Sequence, residues 1–220
     1  MSVAVYSLTD KAARIDQPFA MVLLGLIGDI GVHLYVAQGQ MDWHKHIDED
    51  ELFIVHEGGL RIDSELGKNT LYPEEALLVP KGVGHRSQSA LRSVVLLIRQ
   101  QILPERKNGH RNYLVTEGRA PLAKARLSSF ANENSQSFEP ATIATMEGYR
   151  LSCFRANGFG PAETCPSGGT LLYVTQGAIG LELDDGGARL EQGQLTLLPP
   201  HTTYKLHAAQ PAMVLKFEHE

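Results

Sequence analysis

The chain predicts an all-β sandwich or barrel, built twice. Two observations carry this. Short apolar runs rich in β-branched side chains recur with Gly, Pro, Asn or Asp between them, and strand patterns do not alternate with helical ones. A constant shift also lays the second half on the first: Gly58 falls on Gly177 and Pro80 on Pro199 (177 − 58 = 119; 199 − 80 = 119). The same 119 aligns Gly39 with Gly158, Leu52 with Leu171, Val55 with Val174, Gly67 with Gly186, Leu71 with Leu190, Leu78 with Leu197, Val95 with Val214 and Leu96 with Leu215. No gap is needed from Gly39 to Leu96, so the chain reads as two copies of one β unit.

The elements follow in order. Residues 20–26 lie in the strongest apolar run, 19–28, which is too short and too far from the start to be a membrane span or leader. It reads as a buried strand. Strands are expected at 32–37, 52–55 and 60–62; in the last, Leu60 and Ile62 alternate with Arg61 and Asp63, so one face is buried and the other wet. Residues 64–69, with Gly67, form a hairpin turn, and strands at 76–79 and 94–98 complete the first copy. Beyond about Gln101 the pattern loosens into a polar breaker cluster at 103–109, a short helix at 120–130 and an Asn/Gln/Ser-rich stretch at 131–138. The expected organisation is an N-terminal unit at 1–105, a linker at 106–138 and a C-terminal unit at 139–220.

Composition narrows the function. An apolar share of 43% and a charged share of 20% belong to a soluble globular protein. A net charge of −5 and the short, interrupted basic stretch at 106–111 argue against nucleic acid or an anionic membrane as partner. Cys153 and Cys165 are too few for a disulfide framework, which makes the cytoplasm the expected location.

Chemistry concentrates in residues 43–58. His44 and His46 alternate, so on a strand both point to one side, and Glu51 opens the returning apolar run that can bring a carboxylate opposite them. His85 follows in the turn Pro80-Lys81-Gly82-Val83-Gly84-His85. Three imidazoles and one carboxylate suit a first-row divalent ion better than Mg²⁺ or Ca²⁺. Trp43 and Phe53 are candidate walls of a substrate pocket, although core packing explains both equally well. His33 and Tyr35 share a face of the preceding strand, where each is a second-shell donor, a general acid or base, or simply a satisfied core polar group. Asp48, Glu49 and Asp50 read as a solvated charged turn that would repel anionic substrates. Arg61 points away from the cavity, and His56 is structural.

The two blocks His-x-His-x4-Glu-x6-Gly and Pro-x-Gly-x2-His resemble the cupin superfamily, and the first is similar to the members described as mannose-6-phosphate-isomerase-like. The resemblance implies two tandem double-stranded β-helix (jelly-roll) barrels, a bicupin, with His44, His46, Glu51 and His85 as ligands of one divalent transition metal: Fe, Mn, Ni, Co or Zn. A glycine usual in that pattern is Glu74 here. In the second copy the ligand positions become Glu163, Cys165, Thr170 and Tyr204, and the motif-two glycine becomes His201, so no second ion is expected. Cupins include dioxygenases, isomerases, decarboxylases, lyases and storage proteins. The first functional reading is therefore a metal-dependent enzyme on a small oxygenated molecule, dioxygenase-like or an isomerase/lyase. The alternative is a non-catalytic metal- or ligand-sensing protein, and a sugar-phosphate isomerase ranks third, because no Arg/Lys cluster clamps a phosphate. A small molecule is the expected partner, with a homodimer on general grounds.

Overall fold

Two sheets account for nearly all ordered structure in the computed structural model, which describes residues 3–101, 118–133 and 136–220. The first half runs β1 (Val5–Ser7), α1 (Leu8–Ala12), β2 (Val22–Ile27), β3 (Ile30–Gln40), β4 (Glu51–Glu57), β5 (Leu60–Ser64), β6 (Gly67–Leu71), β7 (Glu75–Val79) and β8 (His85–Gln100). The second runs β9 (Ala125–Arg126), α2 (Leu127–Glu133), β10 (Ala141–Met146), β11 (Tyr149–Thr164), β12 (Thr170–Gln176), β13 (Ala178–Leu183), β14 (Gly186–Glu191), β15 (Gln194–Leu198) and β16 (Thr203–His219). One sheet is ordered β2-β3-β8-β4-β7-β9, with the β5–β6 hairpin attached through β8; the other is β1-β15-β12-β16-β11-β10, with β13–β14 attached through β16.

The repeat holds at the level of hydrogen-bond register. A shift of 119 carries β4 onto β12 and β7 onto β15 residue for residue. It also converts the pairings Glu51↔Arg99 and Glu51↔Val79 into Thr170↔Glu218 and Thr170↔Leu198. The correspondence reaches back to the helices, since α1 starts at Leu8 and α2 at Leu127 (127 − 8 = 119). The inward face of each copy forms its own core: Tyr35, Phe53, Leu60, Ile62, Val95 and Leu97 in the first, and Phe154, Leu172, Ile179, Leu190, Leu206 and Val214 in the second.

The chain divides into a first unit of Ala12–Gly25 with Asp29–Ala125, and a second of Met1–Lys11, Leu26–Gly28 and Arg126–Glu220. These limits cut the chain differently from 1–105, 106–138 and 139–220, because outer segments complete sheet edges. β1 pairs β15, with Val5 opposite Thr196. Residues before β9 run along the first unit, where Leu122 N donates to Leu66 O at 3.0 Å and Lys124 Nζ to Thr70 O at 2.8 Å. That extended path also corrects the helix expected at 120–130, which begins at Leu127. The breaker cluster at 103–109 and the basic stretch at 106–111 lie outside the described residues.

The run at 19–28 is a strand but not a buried one. Val22, Leu23 and Leu26 are 40%, 45% and 44% exposed, because β2 ends its sheet and only Leu24 and Ile27 turn inward. Backbone demands also trade places between the copies. Glu74 adopts φ 66° where the second copy has Gly193 at 81°, whereas Gly82 at 84° is answered by His201 at 61°. No helix among the described residues is long and apolar enough to cross a membrane.

Candidate metal centre

Backbone pairing brings the two motifs together. His44 and His85 form an isolated antiparallel bridge, with His44 N donating to His85 O at 3.0 Å and His85 N to His44 O at 2.9 Å. Gly82 N donates to His46 O at 2.6 Å, so the motif-two turn is clamped onto the first motif. β4 contributes Glu51, which lies opposite Arg99 of β8, and two residues on Phe53 lies opposite Leu97. Alternation puts these side chains on one face.

The donor atoms of His44, His46, Glu51 and His85 all lie within 4.8 Å of one another. His85 Nε2 is 2.8 Å from Glu51 Oε2, and His46 Nε2 is 3.5 Å from Glu51 Oε1. Four donors each about 2.1 Å from a common ion would stand roughly 3–4.2 Å apart, so this cluster needs little movement to take one. The Nδ1 atoms are engaged elsewhere: His44 with Asp42 O at 2.9 Å, His85 with Val83 O at 3.1 Å, and His46 with Glu49 Oε1 at 2.8 Å. An acceptor at Nδ1 holds the proton there and leaves Nε2 with its lone pair toward the centre. Burial lowers the His44 pKa, which favours the neutral ring a metal requires. Burial also opposes charge on His46, but the Glu49 hydrogen bond and the charges of Glu51 and Glu49 outweigh it and raise its pKa. For Glu51 burial pushes upward, yet His85, His46 and Arg99 prevail and keep the carboxyl below its ordinary range.

A cavity of about 110 Å³ adjoins the cluster, lined by Tyr35, Phe53, Leu97, Arg99 and Ser87 besides the four candidate ligands, with Met21 and Met41 at its side. The Tyr35 hydroxyl is fully buried there, with the Ser87 side chain beside it but no hydrogen bond of good geometry, and burial drives its pKa far upward against the Ser87 contact, so it remains a protonated donor. Phe53 is thus a cavity wall. Trp43 is not: it is 51% exposed, with the Arg86 guanidinium 5.4 Å from its ring centre, because it stands before the bridge that turns His44 inward. His33 does not line the cavity; it is half-buried, with its ring beside the Gly31 and Leu97 backbone and close enough to Arg99 and Glu49 to feel both charges.

In the charged turn at 48–50 Asp48 is exposed as expected, but Glu49 and Asp50 are engaged by the fold. Glu49 is only 4% exposed, holds His46 and lies 3.4 Å from Arg99 Nη1; Asp50 Oδ1 accepts from Lys81 N at 2.8 Å and fixes the motif-two turn. Arg99, which sequence reasoning missed, also reaches Glu51 Oε1 at 3.3 Å. Its position two residues beyond Leu97 on the inward face of β8 was the available signal. Arg61 does face outward, paired with Asp63 at 2.8 Å.

A family model, homogentisate 1,2-dioxygenase N-terminal, matches residues 25–96. The "Uncharacterized protein YdbB" of Bacillus subtilis is 42% identical over 89 residues, covering 40% of this chain and 78% of that protein. Among solved structures, a cupin 2 conserved barrel protein from Leptotrichia buccalis superposes with a TM-score of 0.75 at 10% identity, over 100% of this chain and 98% of that one. Salicylate 1,2-dioxygenase from Pseudaminobacter salicylatoxidans gives 0.75 at 12% identity, over 99% and 84% of the two chains. Bacillus subtilis oxalate decarboxylase, described with Mn(II) centres, gives 0.62 at 11% identity, over 100% and 78%. The 42% identity over most of YdbB places the chain in the family of that protein, and the superpositions show that its fold is the cupin fold.

Proposed function

We propose that the first unit holds one divalent transition metal through His44, His46, Glu51 and His85, and acts as a metal-dependent enzyme on a small oxygenated acid. The observation that carries this is the convergence of four donors, each imidazole engaged at Nδ1, beside a cavity into which the buried Tyr35 hydroxyl opens. When bound, such an ion supplies Lewis-acid or oxygen chemistry at its open positions. Tyr35 donates a hydrogen bond to a substrate oxygen and, remaining protonated, is no base. Arg99 balances the charge of Glu49 and Glu51, while Phe53 and Leu97 exclude water. The cavity of about 110 Å³ is below the usual several hundred Å³ of a ligand pocket, which supports a small substrate. Since oxalate decarboxylase is among the structural neighbours, C–C cleavage of a small acid leads, with isomerase/lyase chemistry next.

The test is metal content of protein purified without added ions, followed by turnover and O₂ uptake on a panel of small hydroxy-, oxo- and dicarboxylic acids beside salicylate and gentisate. His46→Ala and Glu51→Gln should lose metal and activity together. Full metal content in both variants would overturn the site. One observation favours a sensing protein as second reading: the cavity holds no clear proton acceptor beyond the candidate ligands. Tight binding of an acid without turnover would establish that reading. The sugar-phosphate reading is dropped, since the one guanidinium lining the cavity already spans two carboxylates. A cytoplasmic location and a homodimer are further proposals; the exposed apolar residues of β2 favour the latter, and solution mass tests it.

A further inference from the structure

The second unit carries a charged cluster at the positions that correspond to the metal centre. Adding 119 to His44, His46, Glu51 and His85 gives Glu163, Cys165, Thr170 and Tyr204; adding it to Leu97 and Arg99 gives Lys216 and Glu218. The register is conserved, since Phe53↔Leu97 becomes Leu172↔Lys216 and Glu51↔Arg99 becomes Thr170↔Glu218. Lys216 therefore projects from the face that Leu97 occupies in the first unit. Its side chain is only 5% exposed, and Nζ lies 2.8 Å from Glu163 Oε2 and 3.0 Å from Glu218 Oε1. The remaining positions close the network: Tyr204 Oη donates to Glu163 Oε2 at 3.2 Å and Thr170 Oγ1 to Glu218 Oε2 at 3.1 Å. Tyr35 and Ser87, which line the first cavity, become Phe154 and Leu206 in the second core.

We propose that the Lys216 ammonium is a built-in cation that takes, in the second unit, the place held by the metal in the first. This rests on the metal reading of the first unit. Two partly buried carboxylates, 28% and 11% exposed, that converge on one point call for a positive partner, and a covalently attached ammonium supplies it without an ion. The first unit keeps three imidazoles and one carboxylate around a cavity that Leu97 lines. In the second, Glu163 replaces an imidazole, Glu218 replaces Arg99, and lysine fills the centre. The consequence is one exchangeable metal per chain, with a latent site beneath the lysine.

The experiment uses the full chain with His46→Ala/His85→Ala, which silences the first unit, so that metal content of the unaltered chain tests the first site and this background reads only the second. Lys216→Met on that background should unfold roughly 10 °C or more below its parent. One millimolar MnCl₂ should restore at least half of that loss and leave about one Mn²⁺ per chain, whereas the parent gains neither. Adding Glu163→Gln and Glu218→Gln to Lys216→Met should recover the melting temperature and abolish the Mn²⁺ response. A melting temperature unchanged in Lys216→Met, or lowered without any response to Mn²⁺, overturns the proposal. If Lys216→Met does not fold, Lys216→His, which keeps a nitrogen there, replaces it: one Mn²⁺ bound supports the exchange of lysine for metal, and none refutes it.

Discussion

Removing Glu49 isolates how much of the metal centre is built outside the ligands themselves. Its carboxylate is 4% exposed and shares Oε1 between His46 Nδ1 at 2.8 Å and Arg99 Nη1 at 3.4 Å. In Glu49→Ala the His46 ring loses the acceptor that fixes its tautomer and aim. Arg99 is left with Glu51 alone, 3.3 Å away, and competes with the ion for that carboxylate. Loss of such an outer contact costs about 10- to 100-fold in metal affinity, or about 1.4–2.7 kcal/mol, and the double role of Glu49 points to the upper end. Glu49→Gln keeps an oxygen for Nδ1–H but not the charge facing Arg99, so its loss should be tenfold or less. Mn²⁺ titration against a competing chelator reads both values. An affinity for Glu49→Ala within twofold of wild type would refute the claim that His46 is held from behind.

Further outcomes follow from the same geometry. Leu97→Lys transplants the second unit's ammonium beside Glu51 and should abolish metal binding while the chain still folds, as read by elemental analysis and circular dichroism. Tyr35→Phe deletes a buried hydroxyl that has Ser87 beside it without a hydrogen bond of good geometry, so denaturant titration should show stability changed by no more than about 1 kcal/mol, while affinity for the small acid falls. A loss of more than about 1 kcal/mol would mean the hydroxyl is bonded in the native state. For Lys216, burial pushes the pKa down, but the hydrogen bond and charge of Glu163 and the charge of Glu218 overcome it and leave it above the ordinary 10.5. A raised folded-state pKa means stabilisation complete below 10.5 and lost as pH climbs through the folded value. Wild type should therefore lose stability in that alkaline range relative to the Lys216→Met/Glu163→Gln/Glu218→Gln chain, and parallel pH profiles would contradict this.

The strands, the hairpin at Gly67 and the four convergent residues were legible because each depends on local spacing: alternation along a strand, a turn glycine, a repeat in register. Glu49 was misread because acidic runs are usually solvated, and nothing in the spacing reports that β8 delivers Arg99 behind it. Trp43 looked like a pocket wall because alternation cannot say where a strand yields to a bridge. The apolar run at 19–28 could not announce that its strand would end a sheet and leave Val22, Leu23 and Leu26 outside.

By itself the sequence determined the β class, the twofold repeat and the donor set of the first unit, since these follow from residue types at fixed intervals. Only the tertiary structure decided which groups stand behind the donors, how small the adjoining cavity is, and that Lys216 sits between two carboxylates in the second copy. Those facts depend on which strands lie side by side, and pairing between β4 and β8, or β12 and β16, joins residues 37 to 48 positions apart (94 − 57 = 37; 99 − 51 = 48) in ways that no local pattern encodes.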